Sequence, residues 1–335
     1  MRSLFYAIVT FLLLIGCNRE IKNTIKISGA AQGTTYNITY LAGQHSNYRQ
    51  AIDSIFKRID FSLSTYQTGS IISKLNRNEN VVFVDEYFSD VFNKSIEVSD
   101  RTKGFFDVTV APIVNAYGFG FTKREKVDQI LIDSLLKYIG YKKVRLVDKK
   151  LIKDIPQVML DFNAIAQGYT VDVLASFLEG KGVNNYMVEV GGELRAKGKK
   201  LNDSSWTVGI EQPAETNTDG ALLNAVLTIK DKSLATSGNY KKFYIEDGKK
   251  YAHIIDPFTG YPAKNNLLST TVIAADCMTA DAYATAFMVM GLEKSKQFLS
   301  DNKDLNLEVF FIYDENGVSK TYTSEKFKEN VEPGL

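Results

Sequence analysis

Apolar residues recur at helical spacing in YRQAIDSIFKRIDFSLS, where Ile52, Ile55, Phe56 and Ile59 share one face and predict an amphipathic helix. A second helix is predicted in YFSDVFNKSIEVSDRTKG, with Gly104 as its terminator, and a third in VDQILIDSLLKYIG, closed by Gly140. Between and after them lie short runs rich in β-branched and aromatic residues: TTYNITY, KKVRLVD, QVMLDF, NYMVEVGG, SWTVGIE, AVLTIKD, LLSTTVIA and LEVFFIYDENG. Strands gathered in the later part with helices on their flanks predict an α+β fold with a mixed or antiparallel sheet. No repeat, low-complexity stretch or break in composition divides the chain, so residues 25–335 are expected to form one domain.

The first residues belong to a different pattern. MRSLFYAIVTFLLLIGC has a basic Arg2, an apolar run from Leu4 to Ile15, and Gly16 before Cys17. The run is too short for a stop-transfer helix and has the flanks of an export signal. Leu14-Ile15-Gly16-Cys17 resembles a bacterial lipobox, so residues 1–16 are expected to be a lipoprotein signal peptide. Residues 17–24 would then be a lipidated Cys17 and a polar tether; the alternative is an ordinary signal peptide with a chance cysteine. Acyl chains on Cys17 would anchor the protein to a membrane through their buried methylenes. Cys277 is the only other cysteine, so no internal disulfide is expected, and beside alanines it reads as a small buried apolar residue. With 335 residues, 44% hydrophobic, and 40 Lys+Arg against 39 Asp+Glu, the chain can bury a large core. That balance, with the basic residues scattered, gives no electrostatic case for nucleic acid.

Several segments carry residues that a packing role alone does not require. Gly33, before the strand TTYNITY, lets backbone approach a ligand, although a plain turn has the same look. In STYQTGSIISKLN, Tyr66 is placed to stack on a planar ring, or the segment is a turn with Ser70 capping a short helix. Asp107, Thr109 and Asn115 interrupt an apolar run in GFFDVTVAPIVNAYGFG and need partners, from a ligand or from neighbouring backbone. LDFNAIAQGYTVDVLASFLEGKG reads as a strand ending at Asp161, a tight segment from Asn163 to Gly168, and a helix to about Leu178. Its strand-to-helix turn suits phosphate, yet it lacks the spacing of a P-loop or a dinucleotide fingerprint. VEVGGELRAKG offers a Gly-Gly pair against which a flat ligand could press, and Thr236-Ser237-Gly238 reads as a polar turn after a strand. His253, one of only two histidines, precedes the turn DPFTGYP; a structural histidine is the plain alternative.

AADCMTADAYATAF predicts a packing helix, but Asp281 and Thr285 stand four residues apart and share a face. A carboxylate with a hydroxyl is a hard-oxygen pair suited to Mg2+. Alternatively, Asp281 caps a helix that starts later and Thr285 bonds back to a carbonyl.

Taken in order, GTTY, STY, FDVTVAPIVNAYGFG, LDFNAIAQGYTVD, VEVGGEL, TSGNY, HIIDPFTGYP and TADAYAT resemble the ApbE family, the FAD:protein FMN transferases. The resemblance covers essentially the whole chain after the tether and implies a single T-fold-like domain. It also implies Mg2+ held by Asp281, Thr285 and the backbone carbonyl of Ala164. FAD contacts would come from Gln32, Tyr66, Thr109, Val110, Ala111, Gln167 and Ile255. His253 corresponds to a histidine implicated in family activity. The chain departs at three positions: Gln32 stands where methionine is common, Tyr117 where tryptophan is frequent, and Gln167 where Lys or Glu is usual.

The implied reaction is transfer of FMN from FAD to a threonine or serine of an exported acceptor, with release of AMP. Such an acceptor would be a redox-pump or electron-transfer subunit, and many family members are periplasmic lipoproteins. His253 would be the base, with Asp281 as the alternative. Hydrolysis of FAD to FMN and AMP is one rival reading, and a non-catalytic FAD-binding lipoprotein is another.

Overall fold

The structure is a computed structural model of the chain and describes residues 22–43, 46–80, 82–120, 125–211, 223–239, 243–246 and 249–332. Cys17 and the segments expected to be a signal and most of a tether lie outside the described residues.

Two strands open the fold, β1 (Asn23–Ala31) and β2 (Thr34–Ala42), and four helices follow: α1 (Arg49–Leu63), α2 (Ile71–Asn76), α3 (Glu86–Arg101) and α4 (Ala111–Ala116). Next come α5 (Gln129–Leu136), the hairpin β3 (Val144–Val147) and β4 (Lys150–Lys153), and the long α6 (Ala166–Gly180). Seven strands follow: β5 (Tyr186–Val190), β6 (Glu193–Lys197), β7 (Trp206–Glu211), β8 (Leu223–Ile229), β9 (Lys232–Gly238), β10 (Phe243–Glu246) and β11 (Lys249–Ala252). The chain closes with β12 (Leu267–Ala274), α7 (Cys277–Met290), α8 (Leu292–Asp301), β13 (Glu308–Glu315), β14 (Val318–Thr323) and α9 (Glu325–Lys328).

Eight strands form the central sheet in the order β1-β2-β5-β6-β9-β12-β13-β14, every neighbouring pair antiparallel. Of the two arrangements expected, the antiparallel one holds. Side-chain alternation sorts the strands onto two cores. Val272, Ala274, Val309 and Phe311 face a large core shared with α1, α3, α6 and α7. Ile273, Phe310 and Ile312 face a smaller one covered by the β7–β8 hairpin and by Phe327 of α9. Both faces of β12, and of β13 from Glu308 to Ile312, are buried, which is why neither strand shows the apolar–polar alternation of a half-exposed one. A third cluster joins Ile113, Val114 and Tyr117 to Ile132, Ile139 and Ile255.

The amphipathic helices lie where their patterns put them, and Ser70 caps α2 by accepting the Ser73 amide at 3.1 Å. Three expectations need correction. The first strand starts at Asn23, inside the segment read as tether. Thr236, Ser237 and Gly238 belong to β9, paired with Thr271, Thr270 and Ser269 of β12, and are not a turn. QVMLDF is not a strand: Val158, Leu160 and Phe162 are buried but the segment joins no ladder, and its polar backbone is satisfied otherwise. The Asn76 side chain donates to the Leu160 carbonyl at 2.8 Å and accepts the Leu160 amide at 2.8 Å, while the Asp161 amide donates to the Val108 carbonyl at 2.8 Å. One amide side chain thus stands in for a neighbouring strand, which a strand-like pattern cannot disclose.

Replacing Asn76 with Ala strands both groups of Leu160 in a dry site, where each unmet group costs about 1–3 kcal/mol. Asn76→Ala is expected to lower the unfolding free energy by about 2–4 kcal/mol in urea titration; a loss under ~1 kcal/mol would contradict this bonding.

Candidate active site

Asp281 lies inside α7 and is buried, 7% exposed. The helix starts earlier, capped by Asp276, whose Oδ1 accepts the Thr279 amide at 2.8 Å, so Asp281 is no cap. Its Oδ2 accepts the Gly168 amide of α6 at 3.0 Å. Gly168 is the third residue of α6, so its amide has no acceptor within that helix and Asp281 supplies one. The carbonyl of Ala164, just before the helix, accepts no backbone amide among the described residues. The helices meet closely here: a Cβ on Gly168 would come within 2.8 Å of the Asp281 Cβ and would also strike the Cys277 carbonyl. Burial pushes the Asp281 carboxyl from its ordinary 3.8 up to about 7, opposed only by the Gly168 amide and by no cationic side chain among the described residues. Thr285, one turn on, is partly exposed. A carboxylate, a hydroxyl and a backbone oxygen without a donor form a set that suits a hard divalent cation. No group of three or more His, Cys, Asp or Glu among the described residues offers another such place.

The β1–β2 turn stands beside α6. Gln32 has φ +52 and donates Nε2 to Thr170 Oγ1 at 3.0 Å, and its side chain also bonds Asp60. Its Oε1 is buried without a donor among the described residues. An open cleft of about 520 Å³ is lined by Ala30, Ala31, Gln32, Gly33, Thr34 and Thr35. Gly191 adopts φ +67, and a Cβ there would meet Gln167 Nε2 at 2.8 Å and Thr34 Cγ2 at 3.0 Å. Both constraints demand glycine, and they bring Gln167, Thr34 and Glu193 together across three segments.

Tyr66 is 61% exposed, with its hydroxyl end turned toward Asn163 and Asp161 just before α6. An exposed ring so near the Ala164 carbonyl is available for stacking. Thr109 is fully buried and its hydroxyl is already engaged: it donates to Asp107 Oδ1 at 2.5 Å and accepts the Gly140 amide at 2.7 Å. Thr109 thus has no hydroxyl to spare for a ligand, and of these neighbours only Val110 is partly exposed. Ala111 and Ile255 are buried, Ile255 against the α4 cluster. His253 is partly buried, its ring edge-on to Phe119 at 6.3 Å. Tyr117 is part of the same apolar cluster and 2% exposed. The structure thus joins Gln32, Gln167, Asp281 and Ala164 around α6, with Tyr66 on the rim. His253 and Ile255 sit on a separate loop packed against α4.

The sequence model described as "ApbE family" matches residues 32–311. A FAD:protein FMN transferase of Haemophilus influenzae is 36% identical over 341 residues, covering 97% of this chain and 96% of its own. The chain belongs to the ApbE family. A Vibrio cholerae relative of the same description is 35% identical, covering 98% of both chains. The solved flavin transferase ApbE from Vibrio cholerae superposes with a TM-score of 0.83 at 33% identity, covering 92% of this chain and 100% of its own. The apo flavinyl transferase ApbE from Pseudomonas stutzeri gives 0.82 at 27% identity, covering 94% and 98%.

Two residues that motif reading left without a role lie beside the α6–α7 crossing, Asp172 and Arg195. Asp172 accepts the Cys277 amide at 3.0 Å and the Met278 amide at 2.8 Å, and Arg195 Nη1 donates to it at 3.0 Å. The available signal was spacing: Gly168 and Asp172 are four apart in α6, as Cys277 and Asp281 are in α7.

Because folding raises the Asp281 pKa, the folded protein holds that proton more tightly than the unfolded chain does. In chelator, the stabilisation is complete below about pH 4 and is lost as pH climbs toward 7, by at most about 4 kcal/mol. Asp281→Asn should lack this component. Denaturation curves of both proteins across that range check it, and parallel pH profiles would contradict it.

Proposed function

We propose that this protein transfers FMN from FAD to the hydroxyl of a threonine or serine on an exported acceptor protein, releasing AMP. The observation that carries this reading is the buried Asp281 carboxylate, which has no cationic side-chain partner among the described residues and bonds the first turn of α6, just after an Ala164 carbonyl that accepts no backbone amide there. The full-length likeness to FAD:protein FMN transferases supports it. Asp281, Thr285 and the Ala164 carbonyl would hold Mg2+, which supplies charge neutralisation at a diphosphate when bound. The buried Gln32 Oε1 is an acceptor in want of a donor, as the N–H groups of a flavin or adenine ring provide. Tyr66 offers a face to either ring, and Gly192, with open space where a Cβ would stand, leaves room for close approach.

In the transfer step the acceptor oxygen bonds to the FMN-side phosphorus while the bond to the AMP-side bridging oxygen breaks. AMP departs with that electron pair, and His253 accepts the hydroxyl proton. In-line placement matters more here than covalent help from the enzyme. An imidazole suits the proton role because its ordinary pKa lies near neutrality. Asp281, when engaged by a cation, is the poorer base.

We also infer that Cys17 carries lipid and that the domain faces the periplasm from a membrane of the bacterial cell envelope. The acceptor is read as a flavin-carrying redox-pump or electron-transfer subunit. No helix among the described residues is long and apolar enough to cross a membrane.

Incubation with FAD, Mg2+ and a candidate acceptor should give covalently flavinylated acceptor and AMP, seen by intact-protein mass spectrometry. Free FMN with unlabelled acceptor would mark a hydrolase, and unchanged FAD a binding protein. Asp281→Ala should lose at least about a hundredfold in rate with the fold retained, the scale of removing a preorganised charge-stabilising group. His253→Ala should still bind FAD but lose about 10²–10⁴-fold in transfer, as expected for a general base. Rates within a few-fold of wild type would remove either assignment. Cys17→Ser is expected to move the protein from the membrane fraction to the soluble one, as immunoblots of fractionated cells would report; membrane retention would refute the anchor.

A further inference from the structure

Helix α7 begins with four amides that no residue of its own helix can accept. Two are met locally, the Thr279 amide by the Asp276 side chain at 2.8 Å and the Ala280 amide by the Asp276 carbonyl at 3.2 Å. The other two, at Cys277 and Met278, donate to Asp172 of α6. In return Asp281 of α7 accepts the Gly168 amide of α6. Each helix thus holds the other's first turns through a carboxylate. Asp172 is itself fixed by Arg195 Nη1 at 3.0 Å, whose Nη2 lies 3.6 Å from Glu179. Asp276 already caps α7, so helix formation alone does not require a second acid. What Asp172 adds is attachment of α7 to the helix that follows Ala164.

We propose that Asp172 is a positioning residue for the cation site: by gripping the Cys277 and Met278 amides it sets α7 against α6, and thereby sets Asp281 and Thr285 against the Ala164 carbonyl. This rests on the reading of Asp281, Thr285 and Ala164 as cation ligands. The oxygen set comes from two chain segments, so its spacing is only as well defined as the helix crossing that carries it. An Asn at 172 keeps the shape but offers one acceptor oxygen and turns an NH2 toward the remaining donor. At least one amide then faces a donor, and the crossing loosens.

The test uses the full chain without FAD and titrates Mn2+, following the free ion by electron paramagnetic resonance. Asp172→Asn should bind about 10–100-fold more weakly than wild type, the usual scale for residues that orient metal ligands. Asp276→Ala removes a cap from the same helix without touching α6 and should bind as wild type does. At saturating cation, the transfer kcat of Asp172→Asn should return toward the wild-type value, a split that general misfolding does not produce. Wild-type affinity in Asp172→Asn overturns the proposal and leaves the cation site standing, whereas no Mn2+ binding by wild type overturns both. If Asp172→Asn does not fold, hydrogen exchange on wild type decides. Coupling is reciprocal, so bound cation must slow exchange at the Cys277 and Met278 amides, and unchanged exchange there in a cation-binding protein overturns the proposal.

Discussion

The site depends on one close crossing, where α7 passes over the start of α6 at a residue without a side chain. Any Cβ at Gly168 would run into the Asp281 Cβ and the Cys277 carbonyl, so the approach exists only because position 168 is glycine. That approach lets a backbone amide reach a carboxylate on another helix. The Ala164 carbonyl, just before that helix, accepts no backbone amide of its own among the described residues. The remaining elements keep this crossing in place. β9 and β12 lie beneath α7, and Thr270 Oγ1 donates to the Ala284 carbonyl at 2.7 Å, pinning the helix to the sheet.

A carboxylate buried without a cationic neighbour opposes folding, and proteins normally avoid one. Under the proposed reading, a cation bound at Asp281 would recover what desolvation took. The same logic applies more mildly to Gln32, whose amide hydrogens are engaged by Thr170 and Asp60 while its oxygen waits in the wall of a cleft. The departures from the family pattern fit their surroundings as neutral groups. Gln167 brings an amide beside Gly191, Thr34 and Glu193, and Tyr117 closes an apolar cluster.

Elements whose sequence pattern answers to burial on a fixed face were legible from residues alone. Ile52, Ile55, Phe56 and Ile59 all lie in the core, and LLSTTVIA is β12 from its first residue to its last. Short or polar strands were not. β9 contains Thr236, Ser237 and Gly238, residues that locally favour a turn, and these are held as strand by pairing with Thr271, Thr270 and Ser269 of β12. QVMLDF failed in the opposite sense, since its apolar alternation serves burial while Asn76, distant in sequence, replaces the ladder.

The helices with clean periodicity, the buried strands, the placing of Asp281 and Thr285 on one helical face and the motif order that marks the family are all written in the residues themselves. Those features follow from local stereochemistry and from patterns carried within short windows. That Asp281 is no cap, that Thr109 uses its hydroxyl internally, and that Asp172 and Gly168 belong with Asp281 emerged from the folded chain alone. The reason is physical: a hydrogen bond between helices 113 residues apart along the chain exists only once the sheet has brought them together.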